Sequence, residues 1–173
     1  FTSKYDAVKT GRPGAAFTAE EQQGETLFNN GAKCSSCHAL GTRNTTTFFT
    51  NFKYFNLGLP PNQEIWTLAN DTSVDLGLGG VVSDPLQRGR FKTPHLRNVE
   101  RTAPYMHNGV LKTLKDVVHF YNTRDVASAS WPASEVQENR EVMPFMGNLG
   151  LTDAQVNALV AFMKTLTDGW FTP

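Results

Sequence analysis

Cys34-Ser35-Ser36-Cys37-His38 is the segment of this 173-residue chain whose residue types and spacing can do chemistry. Two cysteines three apart, with a histidine next in line, form the attachment pattern of a c-type haem. Each thiol can add to a porphyrin vinyl group to give a thioether, and the adjacent imidazole can then reach the iron. Two other chemistries share part of the pattern. A structural zinc site needs four Cys or His ligands at set spacing. Cys34 and Cys37 are the only cysteines, and the histidines offer no pair at zinc-finger spacing. A thioredoxin-like dithiol needs a strand-turn-helix setting, whereas here a helix-like run leads into the motif. The motif therefore predicts one covalent haem, with Cys34 and Cys37 as anchors and His38 as its first iron ligand.

The elements that must position this motif carry clear start signals. Thr18-Ala-Glu-Glu21 reads as a capping box. It opens a helix that runs to about Asn29, with Leu27 and Phe28 on its apolar side, and delivers the chain to the cysteines. Thr113-Leu-Lys-Asp116 opens a second helix, whose Leu114, Val117, Val118 and Tyr121 fall on one face. Thr152-Asp-Ala-Gln155 opens a third, with Val156, Leu159, Val160 and Met163 as its buried stripe. Residues 39–90 are rich in Gly, Thr, Asn and Pro and hold no period. They read as loops, with a short hairpin near Phe52-Lys-Tyr54. A long unpatterned stretch of this kind often wraps a cofactor.

Composition sets outer bounds. The chain suffices for one core with sizeable loops. Sixteen basic and sixteen acidic residues balance to zero, so no nucleic-acid or anionic-membrane partner is implied. No apolar run reaches the length of a membrane span. Phe1-Thr-Ser-Lys-Tyr5 is not a signal peptide. Haem c is attached outside the cytoplasm, so the chain is expected to be periplasmic or otherwise exported, with an export signal removed ahead of it.

Residues 91–99, Phe-Lys-Thr-Pro-His-Leu-Arg-Asn-Val, and 102–109, Thr-Ala-Pro-Tyr-Met-His-Asn-Gly, are followed by a helix ending His119-Phe-Tyr121. This run closely resembles the bacterial di-haem cytochrome c peroxidase and MauG family, from about Lys4 to Gly169. The resemblance implies an all-α, class I cytochrome c-like domain with long loop insertions, spanning 1–173. It also implies that this is the C-terminal, electron-transferring half of such a protein. A second haem domain or subunit, and a small redox protein or other electron donor, are then the expected partners. Two readings stand beside it: an independent His/Met electron carrier, and a peroxide-reactive enzyme with an open iron site.

The same resemblance bears on the second iron ligand. Peroxidases of the family carry Met, and MauG carries Tyr, at the end of the helix after the Pro-Tyr-x-His-x-Gly segment; here that position is Tyr121. Met143, in Met143-Pro144-Phe145, looks like the Met-Pro loop of simple cytochromes c and is the competing ligand, with Met146 close behind. Met106 lies where the family does not use it. His95, His107 and His119 read as hydrogen-bonding or surface histidines. The haem propionates need donors. Arg97 is the first candidate because its planar fork matches a carboxylate, and Lys92 is the second. In the resembled family a calcium ion bridges the two domains, partly through backbone oxygens, here at Thr102 and Pro104. Its remaining ligand would come from the other domain.

Overall fold

A computed structural model describes residues 1–40, 46–141 and 146–172. Six α-helices follow one another: α1 (Lys4–Lys9), α2 (Ala19–Thr26), α3 (Gln63–Ala69), α4 (Leu78–Val82), α5 (Leu114–Thr123) and α6 (Asp153–Lys164). Thr18, Thr113 and Thr152 each cap a helix, and each capping box is closed. A fourth box, Ser3 with Asp6, opens α1 and was not anticipated. Helix α2 runs on through a π-turn at Leu27–Gly31, so the helical path reaches Asn29 as expected.

The loop region departs from expectation in two ways. It contains α3 and α4. Neither leaves a helical signature in the sequence, because Ile65 and Leu68 of α3 and Val81 and Val82 of α4 are exposed rather than striped toward a core. The hairpin expected near Phe52-Lys-Tyr54 is instead a long-range ladder. Strand β1 (Tyr54–Phe55) pairs antiparallel with β2 (Phe91–Lys92), in register Tyr54 with Lys92 and Phe55 with Phe91. These two-residue strands amend the all-α reading only slightly.

The core sits where α2 crosses α6. Phe28, Phe49, Phe162 and Leu159 are almost fully buried there, and the rings meet edge to face or tilted. Gly24 makes the crossing possible. A Cβ at that position would lie 2.0 Å from the Ala158 carbonyl oxygen and 2.7 Å from Phe162 Cβ. The chain ends are stitched to this frame. Tyr5 N–H donates to Thr165 O (3.0 Å), Asn98 N–H to Leu166 O (3.1 Å), and Asp168 accepts from Thr2 N and Asn98 Nδ2.

At the far end of α5, buried Arg124 ties three segments together. Its Nη1 donates to Leu57 O (2.9 Å), its Nη2 to Glu141 O (3.0 Å), and both Nε and Nη2 hold the Asp125 carboxylate. The Arg124 hydrogen bonds, with Arg140 beyond, keep the Asp125 carboxyl below its usual range.

Two outcomes follow from this frame. Gly24→Ala gains about 1 kcal/mol of helix propensity but must push the helices apart at a cost of about 3 kcal/mol. Denaturant unfolding should show a net loss, and an equal or higher midpoint would refute the close-crossing account. Asp125 has a depressed folded-state pKa, so its contribution is complete above its unfolded value near 4. It is lost as pH falls through the folded value. For this part-exposed group it amounts to about 1 kcal/mol or less. Melting temperature followed down from pH ~6 to ~2 should therefore fall less steeply in Asp125→Asn than in the parent.

A candidate haem site

The motif is built as a tight turn. Lys33 takes a left-handed conformation (φ 53°) and turns the chain out of the π-turn into a 3₁₀ turn at Cys34–Ser36. Cys37 N–H and His38 N–H both donate to Cys34 O (3.2 and 2.9 Å), and Ser35 Oγ donates to Asn29 O (3.1 Å). This winding brings Cys34, Cys37 and His38 onto the wall of one cavity of about 480 Å³. That is an ordinary size for a cofactor pocket. Its other walls are mainly apolar: Phe28 from the π-turn, Leu114 and Val118 from α5, Leu159 and Met163 from α6, and Leu96 after β2.

His38 is held by its backbone partner. Its Nδ1 lies 2.8 Å from Phe49 O. A carbonyl only accepts, so Nδ1 carries the proton and the lone pair rests on Nε2. Burial pushes the imidazole pKa down, against the opposing pull of the Phe49 and Pro94 carbonyls. Burial thus favours the neutral ring, the form that binds a metal. Phe49 pays for this contact with a left-handed backbone (φ 57°) while its ring is wholly buried.

Cys34 and Cys37 form no disulfide. Burial pushes Cys34 up to about 12. It also raises Cys37, with Glu141 adding to the rise and Lys53 opposing it.

Tyr121 faces the same cavity from α5. Among the described residues its hydroxyl has no hydrogen-bond partner, although a tyrosine in such surroundings normally finds one. Its phenol pKa is raised, first by burial and then by the Cys37 and Cys34 thiols, with Arg124 opposing. The helical stripe read from the sequence is the one that lines the cavity: Leu114, Val117, Val118 and Tyr121 all stand on its wall. Met143 lies outside the described residues. Met146 and Met106 line the cavity, but the Met146 sulfur accepts from Arg124 Nη1 at 3.5 Å.

Arg97, read from the sequence as a propionate partner, is engaged elsewhere in the fold. Leu96 turns inward and lines the cavity; Arg97 does not. The buried guanidinium forms a two-pronged pair with Asp6 (2.7 and 2.9 Å), and its Nε donates to Thr47 O (2.7 Å). Its fork meets the α1 cap instead, and the Ser3-x-x-Asp6 box was the available signal. Lys92 does stand on the cavity wall, with its ammonium 5.2 Å over the Phe52 ring.

His119 is exposed and packs near Trp131. His107 stacks on Phe91 (3.6 Å, 7°) and bonds Glu135, a partner that the sequence did not reveal. His95, Thr102 and Pro104 stand on the cavity wall. Among the described residues no group of three His, Cys, Asp or Glu side chains is gathered to hold a metal ion.

Residues 21–167 match the cytochrome c family. The methylamine utilization protein MauG of Paracoccus denitrificans (strain Pd 1222) is 40% identical over 193 residues, covering 100% of this chain and 48% of that protein. Cytochrome-c peroxidase IdrP2 of Denitromonas iodatirespirans is 31% identical, over 89% of this chain and 41% of its own length. Among solved structures, the diheme peroxidase BthA from Burkholderia thailandensis E264 superposes with a TM-score of 0.80 at 32% identity, covering 97% of this chain and 46% of that one. The chain thus spans about half the length of the relatives it matches. A motif that anchors haem c, an apolar cavity that fits it and a family match over most of the length lead to one assignment: the chain belongs to the cytochrome c family, as a haem c domain related to MauG and the di-haem cytochrome c peroxidases.

Proposed function

We propose that this chain holds one haem c and works as the electron-transferring half of a di-haem, MauG-like oxidoreductase. The carrying observation is that His38 and Tyr121 line one cavity, and that the Tyr121 hydroxyl has no hydrogen-bond partner among the described residues. If both His38 and Tyr121 held the iron, no position would be left for peroxide, which suits electron transfer better than a substrate site. Haem c, when bound, supplies reversible one-electron chemistry.

The chain's own residues have separable tasks. Cys34 and Cys37 would hold the group covalently. His38 would give its Nε2 lone pair, oriented by the Phe49 carbonyl. Tyr121 would give an oxygen, and an anionic oxygen lowers the potential relative to a methionine sulfur. The apolar walls exclude water. Lys92, on the cavity wall, would serve a propionate as a cation, while Arg97 is engaged by Asp6. An independent His/Met carrier would take its sulfur from Met143, with Met146 next.

The further partners follow the same reading. A second haem domain would supply the peroxide chemistry, a small redox protein the electrons, and the setting would be the periplasm. A calcium ion between the domains would use the Thr102 and Pro104 carbonyls.

Three measurements test this. Weighed in acidified organic solvent, the native protein should keep one haem per chain on the polypeptide, and loss of the haem on denaturation would sink the assignment. Tyr121→Phe should open the ferric protein to small ligands and raise its potential, while Met143→Leu leaves the spectrum alone; the reverse pattern would make it a His/Met carrier. Peroxide-dependent oxidation of a small donor by this chain alone should be slow, and turnover at the rate of an intact di-haem enzyme would overturn the half-enzyme reading.

A further inference from the structure

Phe52 is 59% exposed, yet its backbone is held in the left-handed region at φ 57°. Such a conformation is costly for a bulky residue and marks positions that the surroundings enforce. The enforcing bonds lead straight to the cysteine motif. Asn51 N–H donates to Cys37 O (2.8 Å), Asn51 Nδ2 donates to Ser36 O (3.2 Å), and Asn51 Oδ1 accepts from Lys53 N–H (2.9 Å). The exposed ring is thus bolted to the segment that anchors the haem. Tyr54, also exposed, follows it in β1 opposite Lys92.

The charges around this ring are uneven. Lys4, Lys9, Lys112 and Lys164 each stand by a carboxylate. Lys33, Lys53 and Lys92 have no such partner among the described residues. Lys33 and Lys92 stand on the cavity wall. Lys53 is joined to β2 through Thr93 N–H, which donates to Lys53 O (2.8 Å). It also acts on Cys37, holding that thiol's pKa down against burial. The neighbouring carboxylate, Glu141, is paired with Arg90 at 3.5 Å. Lys53, next in the chain, and Lys92, whose ammonium lies 5.2 Å over the Phe52 ring, thus set two cations at an exposed aromatic.

We propose that Phe52, flanked by Lys53 and by the Lys92 ammonium over its ring, is the docking point for an electron-transfer protein with an acidic surface. The inference rests on the electron-transfer reading above and adds the place and charge class of the partner. Exposed aromatic anchors within a charged rim are the usual make-up of an interface hot spot, and complementary charge speeds encounter. One electron passes from the reduced partner to the haem; no bond is made or broken.

The test is stopped-flow reduction of the haem-loaded protein by a reduced acidic plant-type ferredoxin, with a neutral flavin semiquinone as the small reductant in a parallel arm. The ferredoxin rate should fall about tenfold as ionic strength rises from ~10 to ~200 mM. At low salt Lys53→Gln and Phe52→Ala should each slow it severalfold, with the flavin rate unchanged. Phe52→Tyr, which keeps an exposed ring, should restore most of the ferredoxin rate and so separates docking from misfolding. A ferredoxin rate that is indifferent to salt and to these substitutions, with flavin reduction intact, would overturn the docking face and leave the electron-transfer reading standing. A haem that neither reductant can reduce would bring down both. Binding to phosphatidylglycerol vesicles that Lys53→Gln abolishes, with the ferredoxin rate unmoved, would assign the face to a membrane and refute this proposal.

Discussion

The distance between α2 and α6 is the constraint on which the rest depends. Helix α2 feeds the cysteine turn, and α6 contributes Leu159 and Met163 to the opposite side of the cavity. Their separation therefore sets the spacing of the cavity walls. Only a residue without a side chain lets the Ala158 carbonyl come as near as it does at Gly24. Phe28 and Phe162 then fill the flanks of the contact. A shift there would move Cys34 relative to α5 and α6 together, because the π-turn and the 3₁₀ turn transmit it without a flexible joint.

Two buried guanidinium groups hold the loops that close around this frame. Arg97 joins α1 to the segment after β2, and Arg124 joins α5 to the backbone at Leu57 and Glu141. Burying a cation is expensive unless its hydrogen bonds are met, and each of these has a carboxylate and at least one carbonyl. Neither stands on the cavity wall. Their positive charge is spent on architecture, and the wall toward α5 and α6 stays apolar.

Much of the site was legible because it is local. Cys34, Cys37 and His38 are contiguous, and a turn of hydrogen bonds is all that gathers them. The periodicity of a single helix sets Tyr121 on the core-facing stripe, while its reading as an iron ligand comes from the family resemblance. The three threonine capping boxes were readable for the same reason. Legibility ends where a residue's role is decided by a partner far along the chain. Arg97 is the plain case: its fork does bind a carboxylate, but the one it meets is 91 residues away, in a helix too short to show a stripe. The β1–β2 ladder, the His107–Glu135 bond and the Phe49 carbonyl behind His38 are long-range or unpatterned in the same way. Helices α3 and α4 were missed for the opposite reason, since their apolar residues point outward and leave no core-facing period.

Phe49 combines two demands that no other single residue meets. Its backbone suits glycine or asparagine, while its ring fills the space between Tyr5 and Phe28. Relieving the torsion with a small residue would leave a void of aromatic size in the core, and keeping the ring keeps the strain. Ring and torsion therefore act on one peptide, and the carbonyl that meets His38 belongs to it. Any repacking of the core around Tyr5 and Phe28 would be felt as a tilt of the imidazole.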